Sequence, residues 1–318
     1  MMKKKTTLMI VMCAMSVVTM VYTVQAQQFG APAAPGGFGG GMRGFGRGPS
    51  VPPGPPAPVP AAVAIPRPTE EEVAKMNADL QQFVQTTTSA NRDLFRKYAS
   101  LVKIQVPRAN AAIAPVQTGV RTTERHNGFV EIAKQGDFDI LFHGDSITDW
   151  WQRSGVEAQR KHFGDIKIAN FAIAGDTTQG LLWGLQNGEG QGNPKAIMLM
   201  IGTNNASGDA TSEEVAEGVG AVVLQLRKDF PNAKIMLLAI FPRGSRPNDG
   251  IRRKNDRANE IIAKLHDGQH VFFTNINDKF LNADGSLIGF SGDNLHPDAR
   301  GYDIWGAAVA DTLKSWLK

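Results

Sequence analysis

From about Arg121 onward, short runs of unbroken apolar residues alternate with longer stretches in which apolar residues recur every three or four positions. The short runs are Ile140 to His143, Ile166 to Phe171, Ala196 to Ile201, Ile235 to Ile240 and Val271 to Thr274. Runs of this length without polar alternation predict strands buried on both faces. The clearest of the intervening stretches opens with a capping box from Thr211 to Glu214 and puts Val215, Val219, Val222, Val223 and Leu226 on one helical face. Strands separated by helices pair in parallel, so residues 121–318 are expected to form a five-stranded parallel sheet in a three-layer α/β/α sandwich.

Upstream the pattern changes twice. A second capping box, Thr69 to Glu72, precedes Val73, Met76, Leu80, Phe83 and Val84 at helical spacing, and another helical piece runs from about Asn91 to Val102. Residues 69–120 are therefore read as a helical N-terminal segment. Residues 27–68 are dominated by Gly, Pro and Ala, including Gly36 to Gly41 and Pro52-Pro53-Gly54-Pro55-Pro56, a composition expected to stay disordered as a linker.

Residues 1–26 carry Lys3-Lys4-Lys5, an apolar stretch from Leu8 to Val21 and the small-residue site Val24-Gln25-Ala26, the layout of a secretory signal peptide. The alternative is an uncleaved N-terminal anchor. Cleavage is the preferred reading, and it predicts a secreted or periplasmic protein with no stable membrane span. The sole cysteine, Cys13, lies in this segment, which leaves the mature chain without a thiol.

The formal net charge of +4 loses its meaning once it is located along the chain. Lys3, Lys4, Lys5, Arg43, Arg47 and Arg67 precede the first acid, and the remaining residues carry 28 bases against 30 acids. No footprint for nucleic acid results.

The chemistry gathers at strand ends. Gly144-Asp145-Ser146 follows the first strand, Gly175 the second and Asn204 the third, while Asp293 and His296 come after the fifth. Ligands of open parallel sheets bind beyond the carboxyl ends of the strands, so these loops converge on one edge. A serine hydroxyl needs a base, and attack on a carbonyl creates an oxyanion that needs fixed donors. His296 would take the proton of Ser146, with Asp293 holding the imidazole. The backbone N–H groups of Ser146 and Gly175 and the amide of Asn204 would meet the oxyanion. Each motif alone is ordinary turn or cap chemistry. Four loops in one order, each with a different required part, favour the catalytic reading.

Gly144-Asp145-Ser146-Ile147, Ala174-Gly175-Asp176, Gly202-Thr203-Asn204-Asn205 and Asp293-x-x-His296 resemble the four signature blocks of the SGNH/GDSL hydrolase superfamily. Within it, Asn170 to Gly188, Gly202 to Asn205 and Leu238 to Gly244 resemble the catalytic subunits of intracellular platelet-activating factor acetylhydrolase. The resemblance covers about residues 121–318. It implies a flavodoxin-like SGNH fold, a serine esterase without metal or other cofactor, Ser146, Asp293 and His296 as triad, and Gly175 and Asn204 in the oxyanion hole. The first block reads Gly-Asp-Ser-Ile where the pattern has Gly-Asp-Ser-Leu, a small apolar change.

With the export signal, the preferred substrate is a short acyl ester, acetyl foremost, on a carbohydrate. A lipid or phospholipid acyl hydrolase is the alternative of the same class, and a non-catalytic glycan-binding module the alternative of another. Trp150 and Trp183 are candidates for lining an acyl or sugar pocket, and Arg243 for contacting an anionic substrate. His143 reads as a structural strand histidine. His126, His162, His266 and His270 have no metal-site spacing. Oligomeric state is not legible.

Overall fold

The computed structural model describes residues 52–318, so the signal-peptide reading and the part of the linker before residue 52 lie outside the described residues. The described chain divides into two compact units, one made of Pro66–Ala109 and the other of residues 52–65 together with Asn110–Lys318.

The smaller unit is a helical hairpin. Thr69 caps α1 (Glu70–Thr86) with both halves of the expected capping box, and α2 (Arg92–Lys97) packs back through an edge-on contact of Phe95 with Phe83. The second helix is shorter than its apolar spacing suggests. Beyond it the chain is extended, and the Asn77 side chain both donates to the carbonyl and accepts from the N–H of Ile104.

In the larger unit the elements run α3 (Thr123–Gln135), β1 (Ile140–Gly144), α4 (Ser146–Asp149), α5 (Val156–Phe163), β2 (Ile168–Asn170), α6 (Thr178–Gly184), β3 (Ala196–Met200), α7 (Thr203–Ser207), α8 (Ser212–Asp229), β4 (Lys234–Leu238), α9 (Gly250–Ile262), β5 (Val271–Thr274) and α10 (Ala299–Ser315). All five strands are parallel, in the order β2-β1-β3-β4-β5. Leu141, Ile197, Leu199, Ile235 and Leu237 face a core shared with α3, α6, α8 and α9, whereas Ile140, Phe142, Met198, Met200, Met236 and Leu238 face one shared with α5 and α10. Successive strand residues point to opposite faces, so strands that are apolar throughout feed both cores. The three-layer sandwich and its five strands follow the sequence reading.

Ile168, Ile140, Ala196 and Lys234 stand abreast across four strands, which brings the carboxyl ends of the sheet level. The strand order reverses between β1 and β3, and the crevice at such a reversal is where this architecture receives ligands.

The boundaries drawn from composition shift in two places. Residues 52–65 are not a free tether: Gly54 N–H donates to Pro115 O at 2.7 Å, Ala57 N–H to Ile113 O at 2.7 Å and Ile65 N–H to Glu217 Oε1 at 2.8 Å. Ala57 and Val63 are buried in the core beside α8. A Pro-rich segment cannot build a core of its own, but as an extended strap it can complete one that a helix leaves open. Residues 110–120, assigned by pattern to the helical N-terminal segment, also belong to the sandwich. Asn110 donates to Glu217 Oε2 and to Glu214 O, so the buried Glu217 holds the chain both where it leaves the sandwich and where it returns.

Candidate active site

Ser146 is the first residue of α4, immediately after β1, and Asp145 before it caps the helix by accepting from Ile147 N–H at 3.0 Å. The Tyr302 hydroxyl donates to Ile147 O at 2.6 Å and holds the turn from the α10 side. Ser146 is buried to 6 % exposure. Its Oγ is 2.8 Å from His296 Nε2, and His296 Nδ1 is 2.6 Å from Asp293 Oδ2.

The loop that carries the last two residues is built from short turns. Ser291 bonds the His296 carbonyl through both its N–H and its hydroxyl, and Asn294 takes a positive φ of 53° to close the turn. From the β4 side, Gly244 N–H donates to Asn294 O at 2.8 Å. Partial burial pushes the Asp293 carboxyl up, but hydrogen bonds from the His296 ring and from the N–H groups of His296 and Leu295 outweigh it. The net pKa lies below the ordinary carboxylate value, which keeps Asp293 anionic beside the imidazole.

Gly175 sits at φ +84°, a conformation that a residue with a Cβ adopts only under strain. Among the described residues, the N–H groups of Ser146 and Gly175 meet no protein acceptor. Asn204, at the start of α7, is partly open and donates one amide hydrogen to Asp176 O at 2.7 Å, leaving the other free. Asn205 beside it is buried, with its amide committed to Thr178 and Gln179. Three donors and a base-linked hydroxyl on one sheet edge can bind a carbonyl, deprotonate the serine and hold the oxyanion that forms.

The remaining expected residues are placed differently from one another. Trp150 stacks its indole on the His296 ring, centroids 4.0 Å apart and planes 18° apart, so this face is covered by the imidazole. Trp183 lies further along α6 against His126, 4.7 Å between centroids, and shares no ring contact with His296. Arg243 donates to the hydroxyls of Thr203 and Ser207 at 3.2 and 2.7 Å, at the mouth of the same crevice. Half-burial draws its pKa down against the pull of Asp249, Asp145 and Asp293. His143 is buried on β1 with neither ring nitrogen partnered among the described residues, and burial holds its pKa well below the ordinary value, which keeps it neutral beneath the site. His126 bonds Glu189, His162 bonds Asp303, and His266 accepts from Phe273 N–H. Among the described residues no group of three or more His, Cys, Asp or Glu is arranged to hold a metal.

Sequence reasoning missed a buried ionic cluster behind the Gly175 loop. Arg121 is fully buried between Asp176 and Glu189. An arginine at the end of a polar segment gives no periodic signal of burial.

Asp145 supplies a test by pH. Burial raises its pKa to about 7, with one carboxylate oxygen unpartnered among the described residues. The unfolded chain releases this proton near 3.9, so the buried group withdraws stability as pH rises from about 4 through about 7. Asp145→Asn keeps the acceptor for Ile147 N–H and removes the charge. Its unfolding free energy relative to the parent is expected to rise over that window by roughly 3–4 kcal/mol and to level off above it. Urea unfolding at pH 5 and pH 8 measures the difference.

The model of the GDSL-like Lipase/Acylhydrolase family matches residues 142–304. The chain is 37% identical over 194 residues to platelet-activating factor acetylhydrolase IB subunit alpha2 of Rattus norvegicus, covering 60% of this chain and 82% of the relative. It is 40% identical over 164 residues to the platelet-activating factor acetylhydrolase IB subunit beta homolog of Drosophila melanogaster, covering 51% and 71%. A solved structure from Streptococcus pneumonia, described in terms of platelet activating factor, superposes with a TM-score of 0.52 at 25% identity, over 60% of this chain and 91% of that one.

Proposed function

Because the chain belongs to the GDSL-like lipase/acylhydrolase family, within the SGNH/GDSL hydrolases, and is therefore a carboxylic ester hydrolase, we propose that it is an exported serine esterase removing short acyl groups, acetyl foremost, from carbohydrate. The observation that carries this reading is the continuous relay from Asp293 through His296 to Ser146, at 2.6 and 2.8 Å, beside three oxyanion donors.

In the proposed mechanism Asp293 keeps the proton on His296 Nδ1, so that Nε2 accepts the Ser146 proton as Oγ attacks the ester carbonyl. The tetrahedral oxyanion is met by the N–H groups of Ser146 and Gly175 and the free amide hydrogen of Asn204. Collapse breaks the bond to the alcohol oxygen, which leaves with the proton from His296. Water, deprotonated by the same imidazole, then releases the acid from Ser146. Each step uses groups of the chain and water alone.

Beside the relay, the exposed Ser207 hydroxyl, the partly exposed Arg243 and the half-exposed Asp293 offer hydrogen-bonding groups, which favours a polyhydroxylated alcohol over an acyl-lipid tail. Among the described residues no helix is long and apolar enough to cross a membrane. The named activity of the relatives supports acetyl as the acyl group and keeps a phospholipid acyl hydrolase as the second reading. Rates on p-nitrophenyl acetate through octanoate, acetylated xylan and a short-chain phospholipid separate the two. Acetate preference with release of acetate from xylan is expected; preference for the phospholipid over both acetylated substrates overturns the carbohydrate reading. Fractionation of the expressed full chain, with N-terminal sequencing beyond Ala26, tests export.

Asn204→Ala is expected to lower kcat by about 10² to 10³ with KM little changed, since its amide binds the oxyanion more tightly than the ground-state carbonyl. Asn205→Ala should act on stability instead, because its amide bonds Thr178 and Gln179 in the interior. Steady-state kinetics and thermal unfolding of the two variants distinguish the assignments.

A further inference from the structure

We propose that Arg121 is a positioning residue for the oxyanion-binding edge, holding the Gly175 loop, and through it the Asn204 amide, by way of the buried Asp176 carboxylate. This rests on the serine-esterase reading above. The second of the four sequence motifs ends at Asp176 and none of them includes Arg121, which lies before the first strand, so the link exists only in the folded chain.

Arg121 Nη2 is 2.5 Å from Asp176 Oδ2, and its Nη1 reaches both oxygens of Glu189 at 2.5 and 2.6 Å, with all three side chains at 0 % exposure. The other Asp176 oxygen accepts from Thr118 Oγ1 at 3.2 Å and from Thr177 N–H at 2.9 Å. Asp176 N–H donates to Ile173 O at 3.0 Å, closing the turn in which Gly175 takes its positive φ. The carbonyl of the same Asp176 receives the Asn204 amide. A single residue therefore ties Gly175, one donor, to Asn204, another. Arg121 and Thr118 hold that residue from behind, and Val120 stands 3.2 Å from where a Gly175 side chain would begin.

A buried ion cluster of this kind is poor evidence for stability, because desolvating the charges offsets most of their attraction. What it supplies is geometry. The Asp176 carboxylate is held at both oxygens, one by the Arg121 guanidinium and the other by Thr118 Oγ1 and Thr177 N–H, which fixes the Asp176 backbone in direction as well as position. Oxyanion donors act only within a narrow range of distance, and a displacement of about 1 Å costs on the order of 10²-fold in rate.

Asp176→Asn keeps the shape and the acceptor for Thr118 while removing the charge that faces Arg121, and Arg121→Lys keeps the charge while removing the fork. Glu189→Gln alters the opposite side of the guanidinium. In the full chain, kcat and KM on p-nitrophenyl acetate, the inhibition constant of a trifluoromethyl ketone that adds to serine, and the thermal midpoint are measured for each. For Asp176→Asn and Arg121→Lys we expect kcat to fall about 10- to 100-fold, KM to stay within about threefold, and ketone affinity to fall by the same factor as kcat/KM. Glu189→Gln should lower the midpoint with kcat within about threefold. Loss of kcat in all three in proportion to the fall in midpoint overturns the proposal, as does an unchanged ketone affinity. Should Arg121→Lys fail to fold, Asp176→Asn decides. Ser146→Ala measured in parallel separates the failures: activity in that variant sinks the serine-esterase reading, whereas an inactive Ser146→Ala beside a fully active Asp176→Asn sinks only the positioning role.

Discussion

Replacement of Ser146 by alanine is expected to lower kcat by a factor of order 10⁶, with the fold intact, as found where nucleophile and base act as a unit. The size of the effect follows from the division of labour on the sheet edge. In the proposed relay the imidazole and carboxylate act only through the hydroxyl 2.8 Å from Nε2, so its removal would silence all three. The oxyanion donors remain and sustain only a small residual rate. Stability should hardly change, because Ser146 occupies the first turn of α4, alanine suits a helix, and the cap comes from the Asp145 side chain. Active-site titration with a fluorophosphonate, followed by intact mass, gives the check. One adduct per parent chain and none on the variant are expected, and a variant retaining more than a few per cent of the parent rate places the nucleophile elsewhere.

The second large effect is on stability and comes from the strap at residues 52–65. A chain beginning at Pro66 is expected to unfold roughly 10 °C or more below one beginning at Gln27. Burial of a valine such as Val63 stabilises by about 1.5–3 kcal/mol. Loss of the Ile65 N–H removes one hydrogen bond to the charged, buried Glu217, a further ~1.5–3 kcal/mol. In a domain of this size each kcal/mol moves the midpoint by roughly 2–4 °C. Gly220 reports on the same contact with a change of sign. A Cβ there would stand 2.6 Å from Val63 Cγ2 and 2.9 Å from Pro60 Cδ, so Gly220→Ala should destabilise the chain from Gln27 by about 1–3 kcal/mol through overpacking. In the chain from Pro66 the obstruction is gone and the better helix former should stabilise, by up to about 1 kcal/mol. Differential scanning of the four proteins reads both effects, and equal shifts in the two backgrounds would mean that the strap does not press on α8.

The five strands were legible because each is a short, unbroken apolar run, the pattern of a strand buried on both faces. Both capping boxes were legible because they are local, a side chain reaching a backbone N–H three residues on. The candidate site was legible through the strands: once Ser146, Gly175 and Asn204 each trail a parallel strand, the sheet delivers them to one edge regardless of helix detail. Asp293 and His296 were legible as a pair by their spacing.

Other features depended on what the folded chain brings alongside. Composition showed that residues 52–65 form no core of their own, but it carried no information about a helix whose Gly220 leaves room for Pro60 and Val63 of a strap. The α8 pattern predicted one buried face, yet residues 214–223 are buried throughout, because the strap and the returning chain near Ala112 cover the rest. Pro297 lies just outside α10 and pairs with Phe290, and Asp298 after it caps the helix by accepting from Gly301 N–H. Arg121 is the strongest case. A charged side chain is read from sequence as solvated, and its full burial is tolerable only because Asp176 and Glu189, 55 and 68 residues away, supply opposite charge at hydrogen-bond distance. Local free energies are written in neighbouring residues and so can be read from the sequence, whereas the compensation of a buried charge or an open helix face is a long-range term that exists only after the chain has closed on itself.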